Sequence, residues 1–60
     1  MFNVGDDVIV YWEYPGIGAY RGAGTVVKAF GDSTFLVSYR TPGGHPAQAR
    51  TGARWLEPVQ

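Results

Sequence analysis

The chain has 60 residues, no cysteine, and five Lys or Arg residues against five Asp or Glu residues, so its formal net charge is zero. A chain this short forms one domain and buries only about 60% of the surface that its unfolded form exposes. The composition excludes disulfides and Cys-based zinc sites, a lone His45 excludes a histidine metal site, and the charge balance lacks the basic footprint of a typical nucleic-acid binder.

The charges are distributed unevenly along the chain. Residues 1–20 contain three acidic residues and no basic one, whereas residues 21–60 contain all five basic residues and only Asp32 and Glu57 as acids, a sum of plus three. The folded chain is therefore expected to have one basic side.

No apolar run approaches membrane-spanning length, and the N-terminus lacks a basic segment followed by an apolar one. We therefore expect a cytoplasmic protein without a membrane anchor.

The first predicted strand covers residues 8–12 and follows a turn at Gly5-Asp6. Val8, Val10 and Trp12 share one face, and the other face is apolar too. Apolar residues on both faces predict that both are partly covered, and a second copy of the chain is a candidate for the second cover.

Residues 13–20 are predicted to be a loop, because Pro15 and two glycines interrupt the alternation. The loop carries Ile17, Tyr14 and Tyr20. These side chains either fold back to cap one end of the domain or contact a ligand.

The centre of the chain predicts a β-hairpin with arms at residues 21–30 and 34–40 and a tight reversal at Gly31-Asp32-Ser33. In the second arm Phe35, Val37 and Tyr39 alternate with other residues and are predicted to face a core.

After a loop at residues 41–46, a short strand is predicted at residues 47–50 and a brief turn or a single 3₁₀ turn at residues 51–54. The last strand is predicted over residues 55–59, with Leu56 in the core and Pro58 at an edge or an end.

Five short strands, an aromatic loop after the first, a long central hairpin and a brief turn before the fifth together resemble the SH3-like barrel over nearly the whole chain. The resemblance implies an all-β fold in which residues 1–60 form a single five-stranded barrel. Val-x-Tyr at residues 37–39 and Leu-Glu-Pro at residues 56–58 look like parts of Tudor-type barrels.

A second resemblance is to the type II, plasmid-borne, trimethoprim-insensitive dihydrofolate reductases, and it is carried by Phe2, Gly5-Asp6-x-Val8, Ala19-Tyr20-Arg21-Gly22, His45-Pro46, Gln48 and Leu56-Glu57. It implies a homo-oligomer of four barrels around a central pore that holds NADPH, with Gln48 lining the pore. The run Ala47-Gln48-Ala49-Arg50 stands where that family has Val-Gln-Ile-Tyr, and no lysine precedes Lys28.

Two groups of side chains are candidate binding residues. Aromatic residues at one end of the barrel can bind a proline-rich peptide or a methylated amine, or can instead form a subunit interface or cap the core; they are Trp12, Tyr14, Tyr20 and Phe30. Arginine side chains can converge on phosphate, or can form ordinary surface ion pairs; they are Arg21, Arg40, Arg50 and Arg54.

No catalytic arrangement is evident. His45 lies in a loop, Ser33 and Ser38 have no triad motif around them, and the closely spaced glycines lack the strand-to-helix setting of a dinucleotide-binding fingerprint. The sequence favours a non-enzyme, with a type II reductase-like enzyme as the alternative.

The leading hypothesis is a small non-catalytic module that contacts a protein or peptide, ahead of nucleic acid, through the aromatic loop. It predicts no metal and no cofactor, and NADPH belongs only to the reductase-like alternative. A purely structural homo-oligomer is a third possibility. The predicted ligand-binding residues are Trp12, Tyr14, Tyr20, Arg21, Phe30, Gln48 and Arg50.

Overall fold

The computed structural model describes residues 2–16 and 18–59, with the backbone alone at residue 14. It contains a single five-stranded antiparallel sheet and one short 3₁₀ turn. The elements are β1 (Asp7–Tyr14), β2 (Gly18–Ala29), β3 (Thr34–Arg40), β4 (Pro46–Gly52), the 3₁₀ turn (Ala53–Trp55) and β5 (Leu56–Pro58).

The strands lie in the order β4-β3-β2-β1-β5. The predicted all-β class, the five strands, the central hairpin and the 3₁₀ turn before the last strand are confirmed. Within the described ranges the sheet does not close on itself through hydrogen bonds, because β4 and β5 are its two edges.

The predicted loop at residues 13–20 is mostly strand. Trp12 pairs with Tyr20, and the ladder continues to the pair of Tyr14 and Gly18. Positive φ angles of 81° at Gly16 and 103° at Gly18 reverse the chain tightly, so the connection needs few residues. Cross-strand pairing of aromatic residues outweighs the weak strand propensity of glycine here. Residue 17, which was expected to cap the domain together with a tyrosine, lies outside the described residues.

The other boundaries differ by a few residues from the predicted ones. β4 runs to Gly52 because its pairing with β3 continues to Thr34, and the 3₁₀ turn then occupies Ala53–Trp55 rather than residues 51–54. The small and polar residues of β4 have weak strand propensity, but pairing with β3 makes this strand longer than that propensity predicted.

The core is small and, among the described residues, entirely apolar. Phe35, Val37 and Leu56, which were predicted to face inward, are buried together with Val8, Val10 and Val26. Tyr39 was predicted to face the core as well and is only partly buried. Trp12 and Phe2 are partly buried and pack against this cluster. Each fully buried side chain of this size contributes about 1.5–3 kcal/mol, so this core offers little excess stability.

The glycine at position 24 sets how closely β1, β2 and β3 approach one another. Gly24 pairs with Val8 on β1 and with Tyr39 on β3. A Cβ atom at this position would lie 2.9 Å from the Ser38 carbonyl oxygen and 2.9 Å from methyl groups of Val10 and Val37. Only glycine lets the backbone of β2 lie this close to the core side chains.

A register shift between Val26 and Lys28 follows in the same strand. The extra residue is Val27, whose side chain is 41% exposed. A bulge at this point adds bend and twist to β2, as strongly curved small sheets require.

Among residues 2–16 and 18–59, the structure has no helix with the length and apolar character that crossing a membrane requires.

We predict that Gly24→Ala lowers the free energy of unfolding by about 1–3 kcal/mol, because the new methyl group overpacks the core. Gly52→Ala is the matched control, since a Cβ at Gly52 meets nothing within 4 Å. Urea unfolding followed by tryptophan fluorescence measures both variants, and equal stabilities would contradict the close packing at Gly24.

Candidate functional site: the cleft between β1 and β4

A cleft of about 270 Å³ lies between β1 and β4, and we call it the β1–β4 cleft. It exists because the sheet is open: β4 is an edge strand, and β5 pairs with β1 only at Val8–Val10. The cleft is lined by Tyr11, Trp12 and Glu13 from β1, by Ala49, Arg50 and Thr51 from β4, and by Trp55 from the 3₁₀ turn.

Trp12 links this cleft to the core. Its partly buried ring packs against the core cluster, and the ring centroid lies 3.9 Å from that of Tyr39 and 6.2 Å from that of Tyr20. The Tyr20 hydroxyl donates a 2.6 Å hydrogen bond to the Arg40 carbonyl oxygen. The structure therefore brings together two predicted site residues, Trp12 and Tyr20, and fixes the orientation of the tryptophan.

Trp55 is the most exposed ring at the cleft, with 47% of its surface accessible. The Arg54 guanidinium carbon lies 5.9 Å from its ring centroid. Sequence reasoning did not select Trp55 as a site residue. A signal was present in the predicted last strand over residues 55–59, where the residue next to the inward-facing Leu56 points the other way, although Trp55 itself belongs to the 3₁₀ turn.

Arg50 lines the opposite wall, and its charge already has partners. Its Nη2 lies 2.8 Å from Asp32 Oδ2, and its Nε donates a 2.9 Å hydrogen bond to Thr34 Oγ1. Its guanidinium carbon is 4.0 Å from the centroid of the Phe30 ring. Arg50 is thus held over the outer face of the sheet.

The Asp32 carboxylate at the β2–β3 turn completes this group. A hydrogen bond from the Thr34 hydroxyl, 2.6 Å long, is the first cause that lowers the pKa of Asp32 below its usual value, and the positive charge of Arg50 lowers it further. Asp32 therefore stays ionised and balances Arg50 at neutral pH.

Glu13 is the other charged residue of the cleft. Its side chain is exposed on β1, and within the described part of the chain no hydrogen bond or ion pair engages it. Among the described charged residues that line the cleft, Arg50 has an acidic partner and Glu13 has none, and the Arg54 guanidinium lies beside the neighbouring Trp55 ring.

Tyr11 joins the cleft to a hydrogen-bonded group on the outer face. Its hydroxyl donates to Glu57 Oε1 and accepts a 3.2 Å hydrogen bond from Arg21 Nε. The hydrogen bond to Tyr11 is the main cause that raises the pKa of Arg21. The predicted site residue Arg21 therefore holds the Tyr11 hydroxyl by a hydrogen bond on the outer face of the sheet.

The remaining predicted site residues lie elsewhere. Phe30 comes directly after β2, at the opposite end of that strand from Tyr20, and lies beside Arg50 and Lys28. Gln48 is exposed on β4 and pairs with Ser38. The side chain of Tyr14 lies outside the described residues.

The arginines proposed to converge on phosphate have separate local contacts. Arg40 Nη1 donates a 2.8 Å hydrogen bond to the Gly44 carbonyl oxygen, while Arg21, Arg50 and Arg54 contact Tyr11, Asp32 and Trp55, respectively. Each guanidinium is thereby directed to a different part of the surface.

A larger hollow of about 630 Å³ lies over the small side chains of Ala23, Gly24, Thr25 and Ser38. Its lining also includes Asp7, Tyr20, Tyr39 and Arg40, so the predicted site residue Tyr20 borders this hollow rather than the β1–β4 cleft. Among the described residues, no group of three or more His, Asp or Glu side chains is placed to hold a metal ion.

Comparison of the chain with protein-family models, with curated proteins and with solved structures returns no match.

We predict that Thr34→Ala raises the pKa of Asp32 towards its usual value, because the variant removes the strongest hydrogen bond to the carboxylate. Since the folded-state pKa is below the unfolded one, this interaction stabilises the protein above the unfolded pKa and is lost as pH falls through the folded pKa. Carboxyl ¹³C titration by NMR measures the shift.

Thr25→Ala is the control for that titration, because its hydroxyl faces Asp7 at 3.4 Å. An Asp32 pKa that is the same in wild type and Thr34→Ala would show that the hydroxyl does not stabilise the carboxylate.

Proposed function

We propose that this protein is a non-catalytic module that binds a peptide segment of a partner protein in the β1–β4 cleft. The segment places a Lys or Arg side chain against the aromatic wall, with its charge towards Glu13. The observation that carries this proposal is the free carboxylate of Glu13 in the same cleft as Tyr11, Trp12 and Trp55.

The electrostatics of the cleft support a cationic ligand. A cation over an aromatic ring gains roughly 0.5–2 kcal/mol, and more as water is excluded. Arg50 opposes such a ligand less than its formal charge indicates, because Asp32 lies 2.8 Å from it. Glu13 then supplies the attractive charge that selects a basic side chain over an acidic one.

The size of the cleft supports a peptide side chain rather than a whole cofactor. Pockets for drug-sized ligands occupy about 300–1,000 Å³, and this cleft has about 270 Å³. One long side chain and the backbone beside it suit that space. Tyr11 and Trp12 are held by other side chains before a ligand arrives, which lowers the entropy cost of binding.

The SH3-like architecture belongs to this proposal as well. The five-stranded antiparallel order, the long central hairpin and the 3₁₀ turn before β5 support it. The reductase-like hypothesis requires several copies to build a pore around Gln48, and it stays a prediction, as does nucleic-acid binding.

We predict that the peptide acetyl-Thr-Val-Lys-Val-Thr-amide shifts the amide NMR signals of residues 11–13, 49–51 and 55, whereas the same peptide with Glu in place of Lys binds at least threefold more weakly. Trp55→Ala weakens binding of the Lys peptide about tenfold, because an aromatic anchor is lost. Glu13→Gln removes the preference for Lys over Glu.

Two matched controls separate local from general effects. Asp7→Asn removes one negative charge outside the cleft, and Val59→Ala removes an apolar side chain that is 48% exposed, close to the 47% of Trp55. Both controls keep wild-type affinity. An absence of shifts in the cleft at a few millimolar peptide, or unchanged Lys preference in Glu13→Gln, would contradict the proposal.

A further inference from the structure

The outer edge of β4 is open along its whole length. The strand runs over Pro46–Gly52, pairs with β3 on one side, and has no strand beyond it in the part of the chain that the structure describes. The facing part of β1 beyond Val10 has no β5 partner either. Both open edges border the β1–β4 cleft.

The hairpin between β3 and β4 shows which backbone groups face this edge. The Thr41 amide donates a 2.9 Å hydrogen bond to the His45 carbonyl oxygen. In an antiparallel ladder such hydrogen-bonded pairs alternate with non-hydrogen-bonded ones. Ala47, Ala49 and Thr51 therefore direct their amide groups to β3. The backbone groups that point away, towards the open edge, belong to Pro46, Gln48, Arg50 and Gly52.

The position of Pro46 agrees with this assignment. Proline has no N–H group and is tolerated where that group would face away from the ladder. Pro46 opposes Arg40 in the register and occupies one of the outward positions. Three outward N–H groups, those of Gln48, Arg50 and Gly52, remain as donors.

Little in β4 opposes the addition of another strand. Natural edge strands are blunted by bulges, charged side chains, proline or short length, and of these β4 has Arg50 and, at its first position, Pro46. β4 has seven residues and no lysine, and its register with β3 is regular throughout, unlike the shifted register of β2. Its one charged side chain, Arg50, extends over Phe30. The edge is a regular template for strand pairing.

We propose that the partner peptide binds in extended form, as an added strand hydrogen-bonded to the outward amides of β4. The inference rests on the proposed function and adds the backbone conformation of the ligand. The peptide runs antiparallel to β4, the more stable ladder. Its alternate side chains point into the cleft, where the basic one reaches Glu13.

Backbone pairing favours an extended segment over other occupants. An α-helix uses its own backbone N–H and C=O groups internally, so an extended segment, and not a helix, pairs with the outward N–H groups of β4. A second copy of this chain also has an open edge strand, but that strand is part of a whole sheet, which needs more room than a single segment. The negative charge of Glu13 also favours a cationic partner. β4 of a second copy carries one cationic side chain, Arg50, and that side chain already pairs with Asp32.

The test compares acetyl-Thr-Val-Lys-Val-Thr-amide with acetyl-Pro-Pro-Lys-Pro-Pro-amide, which keeps the lysine and its N–H but lacks the backbone N–H groups of the four flanking residues. We expect the first peptide to bind at least tenfold more tightly. In ¹⁵N-labelled protein, the amides of Gln48, Arg50 and Gly52 exchange fast without peptide and several-fold more slowly with it, whereas those of Ala47 and Ala49 are protected throughout.

A pair of variants isolates one backbone donor. Gln48→Pro removes an outward N–H without touching the β3 ladder. We expect it to weaken binding of acetyl-Thr-Val-Lys-Val-Thr-amide about threefold to tenfold, which is the contribution of one hydrogen bond to affinity. Gln48→Ala keeps the N–H and is the matched reference against which the loss in Gln48→Pro is measured. If Gln48→Pro fails to fold, the exchange measurement on the wild-type protein decides instead.

The outcomes separate the two proposals. Equal binding of both peptides in the cleft overturns strand addition and leaves peptide binding intact. No binding of either peptide overturns both. Light scattering that shows a dimer without peptide, with the β4 amides already protected, assigns the edge to a second copy and overturns the inference.

Discussion

The packing of Trp12 is the contact on which both the core and the cleft depend. Because the core cluster of the described residues has only six buried side chains, this sixty-residue chain needs large rings at the margins of its sheet to exclude water. Trp12 packs against that cluster and contacts the Tyr39 ring, and it also lines the β1–β4 cleft. Stability and the proposed ligand contact therefore depend on one side chain.

The charges are arranged so that few of them act at long range. The plus three of residues 21–60 does not become a phosphate-binding cluster, because each arginine has its own contact: the Tyr11 hydroxyl, the Gly44 carbonyl, the Asp32 carboxylate or the Trp55 ring. Exposed pairs of this kind contribute little to stability. They do fix where cationic groups point, and they leave Glu13 as the unengaged charge of the cleft.

An open sheet edge is usually a risk for aggregation. In this protein the open edge of β4 borders a cleft with an aromatic wall, so pairing there also buries apolar side chains from the incoming segment. Main-chain hydrogen bonds supply affinity in such a mode, and side-chain pockets supply selectivity. The proposed strand addition combines the two, with backbone pairing on β4 and side-chain contacts in the cleft.

The sequence by itself determined the all-β class, the central hairpin, the 3₁₀ turn and part of the core. These follow from local rules: period-two alternation placed Phe35 and Val37 on the inward face, and Gly-Asp-Ser marked the reversal. On β1, where both faces are apolar, alternation did not select the buried one. Local rules failed at residues 13–20, where pairing of Trp12 with Tyr20 across the turn outweighed two glycines.

Only the tertiary structure decided the site. Glu13 and Arg50 are far apart in sequence and line the same cleft because the sheet curls until β4 faces β1, and no local pattern encodes that approach. For the same reason Trp55 lines the cleft. Phe30 lies beside Arg50, after the end of β2 that is opposite to Tyr20. Strand formation depends on neighbours along the chain, whereas a cleft between sheet edges depends on curvature and on where the ladders end.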